Sequence, residues 1–595
     1  MNSYTDFYVD KTSRTFADSL VAFGLARVLA DLLNRQTGSA PRIRLHDAGP
    51  YYRITCQPAL ERAAVREHGP TLEPIRAIKT AKNAASLPAG IPAWDYEQER
   101  ERVNLYFAAR KQAGKADLGP DGPPKPHVHW DIFRAINPGA LVGYNGLVAN
   151  WWAVRRQPEA LLILLDLYAV TPNDFAAAEG AWKQLAKDNG WDIKPTVTCQ
   201  QVYNPDQGKG QNKGKADGLS IGNLDGFWLS EWLKAIGFYE AALTRQVRGA
   251  KDRKTFVVAP RNLALADNQK VMEKFVGKMQ FAETSTRFDI LAAIRYTVAL
   301  LEHIREEPSL ASQISGRRSI RQNVVAGFHT AFYKDLGNAT ATMNVSFIAL
   351  PGWVKVETSE DIRLYVNPKA NHEDPQQREY GLLDELELLV RQFDESHSDA
   401  FTLLQYLRDF VSGDNLDAFF RFTNAFPAYL MGQREQGKYA YALSTEFIER
   451  LVMSTEEKLT PILQSEGFQN IAYAIRQSTV TAQYRKKQGD RKYDVRYGLG
   501  QELARKSRYP KDFVAALSDF LHKYNAENAQ VMETRPAPYR RSVKTTDIDE
   551  IVRLIDEFGS ETVANLLIAY GYARVPREEE SDMQPDIESK QEENE

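Results

Sequence analysis

Cysteine is nearly missing from this chain: Cys56 and Cys199 are the only two in 595 residues. Two distant thiols make neither a disulfide framework nor a metal-ligand spacing, so a reducing compartment is the default. Long apolar runs are missing as well, none reaching the ~18–20 residues that a membrane helix needs. The opening MNSYTDFYVDKTSRTF lacks the basic start and apolar core of a secretory signal. A cytoplasmic protein that keeps clear of membranes is therefore expected. No fixed-period repeat appears. Nor does GxSxG, HExxH, the kinase set or a paired-carboxylate pattern, so the chain is expected not to be an enzyme and to need no cofactor. Histidines are few, nine in all. His127-Val128-His129 would give a strand two zinc ligands, but no second ligand cluster follows, and no metal is expected.

Strong net charge is also absent, since the total is −3 at pH 7. That near-balance hides two opposed segments. From Glu578 to Glu595 there are nine acids and one base, Lys590, with almost no apolar side chains. Residues 576–595 are accordingly expected to be an acidic disordered tail. Between Arg476 and Lys511 there are eleven Lys and Arg against Asp490, Asp494 and Glu502. Tyr484, Tyr493, Tyr497 and Tyr509 are interleaved with those cations. Such a composition suits a surface that holds a phosphate backbone and stacks on bases, although a charge run is often only a solvated helix face.

A chain of this length is too long for one hydrophobic core. The pattern predicts an α+β protein, with a mixed α/β region over 1–425 and an all-α helical bundle over 426–575. Residues 14–34 read as a helix ending near Gly38, and Arg42 to Gln57 as a β-hairpin around Asp47-Ala48-Gly49-Pro50. Residues 114–127 are a Gly/Pro-rich connector, and 159–169 form a buried apolar segment of either type. Asn173 is a plausible cap for a helix to Asp188, 193–203 read as a strand, 226–247 as a helix and 253–260 as a strand. Residues 340–366 look β-rich in three pieces around Pro351-Gly352. From Gln377 onward the pattern is helical, including 414–430, 455–487, 511–527 and 547–572.

Two stretches stand out as binding candidates. On a helix over 471–487, Ile471, Ala474, Ile475, Ser478 and Ala482 share a packing face. Arg476, Thr479, Gln483 and Lys487 lie on a neighbouring face open to phosphates. Gly489-Asp490 should then break the helix and present Arg491, Lys492 and Arg496 from a turn. The second stretch is the loop from Gln207 to Lys215, QGKGQNKGK. It fails as a Walker A loop, because position 209 is Lys where glycine is required and Ala216 replaces the magnesium-binding hydroxyl. What remains is a cationic, amide-bearing finger or a plain solvent loop.

The region from Gly467 to Arg574 resembles the C-terminal helical domain of the large subunit of type I CRISPR Cascade surveillance complexes. GFQNIAYAIRQSTVTAQYRK (467–486), YDVRYGLGQELAR (493–505), FVAALSDFLHKYNAEN (513–528) and ETVANLLIAYGYAR (561–574) carry the likeness, over roughly a fifth of the chain. The resemblance implies a non-catalytic subunit that checks the protospacer-adjacent motif and lines the DNA path. Its partners would be CRISPR RNA, target DNA, the backbone, handle-capping and small subunits, and the helicase–nuclease. On that footing Arg476, Gln483, Arg485, Lys486, Lys487, Arg491, Lys492, Arg496, Arg505 and Arg508 would grip DNA. Lys209, Gln211, Asn212, Lys213 and Lys215 would probe the duplex beside the motif. Met431, expected in an interhelical loop, would be an internal start for a separate small subunit. A free-standing single-strand binder, or an enzyme built on 127–131 or 207–215, are the competing readings.

Overall fold

The computed structural model describes every residue except Met1 and residues 70–71, 115–117, 120, 209–210, 212–222, 281–282, 308–318, 338–339, 359, 375–376, 535–539 and 576–595. The tail therefore lies outside the described residues. The chain is α+β, and its described part divides into two compact units. One comprises Met1–Ser285, Arg295–Glu307 and Arg318–Leu350. The other takes Thr286–Ile294 and the described residues from Pro351 onward. The border expected at residue 425 falls inside a helix, Leu416–Glu435, which runs through Pro427.

The first unit is built on two antiparallel four-stranded sheets. One has the order Ser3–Asp10, Tyr51–Glu61, Arg42–Asp47, Asn262–Ala264. Its alternation is clean, with Phe7, Val9, Ile43, Leu45, Tyr52 and Ile54 buried on one face. The expected hairpin is present. Its turn is closed by the Asp47 carboxylate accepting from the Gly49 backbone N–H at 2.9 Å, with Gly49 at φ 92°. The helix Phe16–Thr37 is apolar nearly all round and is buried along most of its length. It starts where Thr15 accepts from the Ala17 N–H and ends at left-handed Gly38.

That helix crosses Trp228–Ala241 at backbone contact. A Cβ on Gly24 would sit 2.0 Å from the Leu233 carbonyl oxygen, and one on Gly237 would sit 1.9 Å from that of Leu20. Only paired glycines permit the approach. The second sheet has the order Thr340–Ala349, Val325–Asp335, Arg253–Pro260, Ala242–Gln246. Phe256 and Phe328 pack edge to face on it, with Phe275 and Tyr296 from two covering helices.

Several sequence expectations need correction here. The helix expected over 226–247 ends at Ala241, and Ala242–Gln246 is a strand paired with Arg253–Val257. A free sheet edge outweighs helix propensity at that point. Of the three strands expected in 340–366 only Thr340–Ala349 forms. Val354, Val356 and Ile362 instead fill the core as irregular chain and a short helix, Ile362–Tyr365. The strand over 193–203 shrinks to Thr196–Thr198, and 159–169 is a helix, Pro158–Tyr168. Asp174, not Asn173, caps Phe175–Asn189. Asn173 accepts from the Asp10 N–H at 3.0 Å and donates to Tyr8 O at 2.9 Å, tying down the first strand.

The second unit is helical among its described residues. Where one helix was expected over 547–572 there are two, Thr545–Phe558 and Ser560–Gly571, parted by Gly559 at φ 84°. Both pack on Glu466–Ser478. The crossings again use glycine, because a Cβ on Gly571 would meet Ile475 at 2.7 Å and one on Gly467 the Asp547 carbonyl at 2.7 Å.

Candidate nucleic-acid interface

The basic segment starts as the helix Glu466–Ser478, which buries Ile471, Ala472, Ala474 and Ile475. The expectation of one helix to Lys487, with Arg476 and Gln483 on an open face, is corrected. At Thr479 the backbone leaves the helical region (φ −121°, ψ −94°) and its hydroxyl turns back to donate to Ile475 O at 2.7 Å. A second short helix, Val480–Lys487, sets off from there.

Arg476 is 6% exposed and donates to Ala573 O at 3.1 Å and Tyr570 O at 2.6 Å. Those carbonyls lie in the last turn of Ser560–Gly571 and just beyond it, so this guanidinium caps the C-terminal end of that helix. Gln483 is 2% exposed and donates to Met431 O at 2.9 Å. Met431 itself is buried inside Leu416–Glu435 and not in an interhelical loop, because the helix continues past Pro427. Arg476 and Gln483 are thus spent inside the unit.

The eight cations that remain of the expected gripping set, from Arg485 to Arg508 without Lys506, face outward in part or in full. Arg485, Lys486 and Lys487 form the last turn of Val480–Lys487, where cations complement the helix dipole. Arg491, Lys492 and Arg496 stand on an irregular turn, residues 488–498, that is tied back to the two helices before it. The Arg496 N–H donates to Ser478 O at 2.8 Å, and Lys486 lies 5.7 Å over the Tyr497 ring. Arg505 and Arg508 follow at the end of Leu499–Lys506 and just beyond it. Lys487 donates to the Arg434 carbonyl. Among the described residues, no carboxylate pairs with any of these eight. Tyr484, Tyr497 and Tyr509 are 61%, 47% and 62% exposed beside them, as base-stacking rings must be. Tyr493, the fourth tyrosine, is buried.

No family model matches the sequence, and no curated protein matches it.

Of the finger, Lys209, Asn212, Lys213 and Lys215 lie outside the described residues. Its root is well tied. Asn204 donates to the buried Glu231 carboxylate at 2.9 Å and accepts from Lys234 at 2.6 Å. Gln211 donates to Thr342 O at 3.1 Å.

His127 and His129 do not sit on a strand. They form the turn before a helix, Trp130–Ile136, and pack as rings: His127 is 4.5 Å from Trp94, and His129 is 4.9 Å from Tyr239. Burial pushes the His129 pKa down to about 4, so it is a neutral filler at pH 7. His129 also lines a cavity of about 280 Å³ with Asp131, Tyr239, Glu240, Arg245 and Gln269. Among the described residues, no group of three or more His, Cys, Asp or Glu is placed to hold a metal ion. No helix of the described residues is long and apolar enough to cross a membrane.

Sequence reading missed one exposed cation. Arg541, beyond the helix Pro510–Thr534, lies 5.1 Å over the Tyr473 ring. The doublet Arg540-Arg541 was its only signal, and the distance in sequence from the basic segment concealed it.

Proposed function

We propose that this chain is the non-catalytic large subunit of a type I CRISPR RNA-guided surveillance complex. It holds target DNA, checks the protospacer-adjacent motif and helps recruit the helicase–nuclease. The observation that carries this reading is the set of eight cations on the helical unit that have no carboxylate partner among the described residues, with three open tyrosine rings among them. Nothing in that set reads bases, so its grip is independent of sequence. Specificity is left to guide pairing and a short motif check. The partners are CRISPR RNA, target DNA, the backbone, handle-capping and small subunits, and the helicase–nuclease.

The test is assembly. The purified chain alone should bind DNA weakly, and the same chain combined with guide RNA and the other subunits should bind a matched target at least about a hundredfold more tightly. Tight binding by the chain alone, with a steep salt dependence and no gain on assembly, would falsify this role and mark a free-standing single-strand binder.

A further inference from the structure

The basic turn, residues 488–498, contains no helix or strand, yet it is anchored. Its anchor is an arginine more than forty residues further along the chain. Arg540 is 4% exposed, and its guanidinium stands 3.4 Å from the centroid of the Tyr493 ring and 4.7 Å from that of Tyr524. Its Nε donates to Asn528 Oδ1 at 3.0 Å, one Nη donates to Gln477 O at 3.4 Å, and the other pairs with the Glu527 carboxylate. The second oxygen of Glu527 accepts from the Asp494 backbone N–H at 2.9 Å. Arg540 therefore holds two consecutive residues of the turn, Tyr493 by its ring and Asp494 through Glu527.

The strap that carries Arg540 is itself fastened to one polar edge of the helix Pro510–Thr534. Tyr524 Oη donates to Arg541 O at 2.8 Å. Asn525 brackets Val543, accepting from its N–H at 3.0 Å and donating to its carbonyl at 2.8 Å. Asn528 donates to Arg540 O at 3.4 Å. The Tyr-Asn pair in FVAALSDFLHKYNAEN thus has a mechanical task that the proposed function leaves unexplained. Lysine could not replace Arg540, because a planar fork is needed to stack on rings while donating in three directions. A buried cation so fully partnered is costly to disturb, which makes it a firm anchor.

We propose that Arg540 is the positioning residue of the basic turn, fixing it through Tyr493 and Glu527 so that Arg491, Lys492 and Arg496 meet a polyanion as a set. The binding half of this inference rests on the nucleic-acid reading above; the anchoring half does not.

The experiment uses full-length Arg540→Met and Tyr493→Ala, with Tyr493→Phe as the control that keeps the ring and removes a hydroxyl that has no hydrogen-bond partner among the described residues. Two quantities are read: the rate of tryptic cleavage after Arg491, Lys492 and Arg496 in native buffer, and the salt dependence of binding to a single-stranded oligonucleotide of about 20 residues. Cleavage within the turn should be at least about tenfold faster in Arg540→Met and Tyr493→Ala, and unchanged in Tyr493→Phe. The slope of log K against log salt should be shallower by about 2, since three phosphates are released at ~0.7 each on a single strand. Faster cleavage spread over the whole unit, with the slope intact, would make Arg540 an ordinary core residue and overturn the proposal. Faster cleavage confined to the turn, again with the slope intact, upholds the anchor and overturns the turn as a binding surface. Unchanged cleavage and slope in a folded Arg540→Met overturns both halves. Should Arg540→Met fail to fold, Tyr493→Ala carries the same test.

Discussion

Two rows of cations in this chain have the same charge and opposite fates. In the helix Leu265–Lys278, Lys270, Lys274 and Lys278 recur every four residues and so share one face. Each meets a carboxylate at the end of the neighbouring helix: Glu307 at 3.0 Å, Glu306 at 2.8 Å and Glu302 at 2.9 Å. From Arg485 to Arg508 there are nine cations; Lys506 lies 4.0 Å from Asp512, and the other eight meet no carboxylate among the described residues. Exposed pairs of the first kind add little to stability, because solvent screens them. Their effect is to cancel the outward field, not to hold the fold. Among the described residues nothing cancels the field of the second row, and an uncancelled field is what draws a polyanion. A count of lysines and arginines along a sequence cannot tell these rows apart, since the difference lies in what the neighbouring helix offers.

Charge reversal is the most forceful way to break the comparison. The triple variant Arg485→Glu, Lys486→Glu, Arg491→Glu should weaken nucleic-acid binding about a hundredfold at ~0.1 M salt and flatten its salt dependence. Every phosphate that is no longer neutralised takes ~0.7–0.9 off the log–log slope. The effect should be alike for every target sequence, because these groups carry no base information. The matching triple on the paired row, Lys270→Glu, Lys274→Glu, Lys278→Glu, should change binding less than about threefold. Equal weakening by both triples, measured by anisotropy over a salt series, would remove the basis for assigning the surface.

Arg476 sharpens the contrast from within the basic segment. It lies in the same run as Arg491 in sequence, yet it is sealed against two backbone carbonyls. Arg476→Ala should cost about 2–3 kcal/mol of unfolding free energy, because it removes two charge-assisted hydrogen bonds to buried carbonyls at a helix end. Its binding per folded molecule should stay unchanged. Arg491→Ala should do the reverse, with stability within about 0.5 kcal/mol of wild type and weaker binding. Denaturant unfolding followed by binding on the same preparations separates the two.

How much was legible in the sequence follows the same division. Elements with a strong period and a chemical stop were readable, as with the helix closed by Gly38 and the hairpin turned at Gly49. The α+β class and the helical C-terminal part followed from them. Unreadable were the choices made by tertiary partners: the switch to a strand at Ala242, the irregular path of Val354 and Val356, and the break at Thr479. The site divides likewise. Spacing on a continuous helix put Arg476 and Gln483 on an open face, and the break at Thr479 withdrew both. In the segments on which the expected likeness to the Cascade large subunit rests, Gly467, Gly571, Tyr572 and Tyr524 serve close approaches within the unit. A likeness carried by such residues speaks to the helical fold and leaves the binding surface to be argued from its own cations.

The finger gives the smallest expected effect and the finest test, since it asks for specificity where the cation row asks for grip. Gln211 already spends its amide N–H on Thr342 O, at the edge of a sheet. Removing that bond costs no more than about 1 kcal/mol. Changing Gln211→Ala and Asn212→Ala together should therefore leave the fold and the salt slope alone, because no charge is removed. Overall affinity should move less than about threefold. What should change is the ranking of the base pairs beside the target, because amides are the groups that pair with adenine edges. The measurement is binding of the assembled complex to a panel of targets identical except for those flanking pairs. A ranking identical to wild type would strip the finger of any part in motif recognition while leaving the cation row untouched.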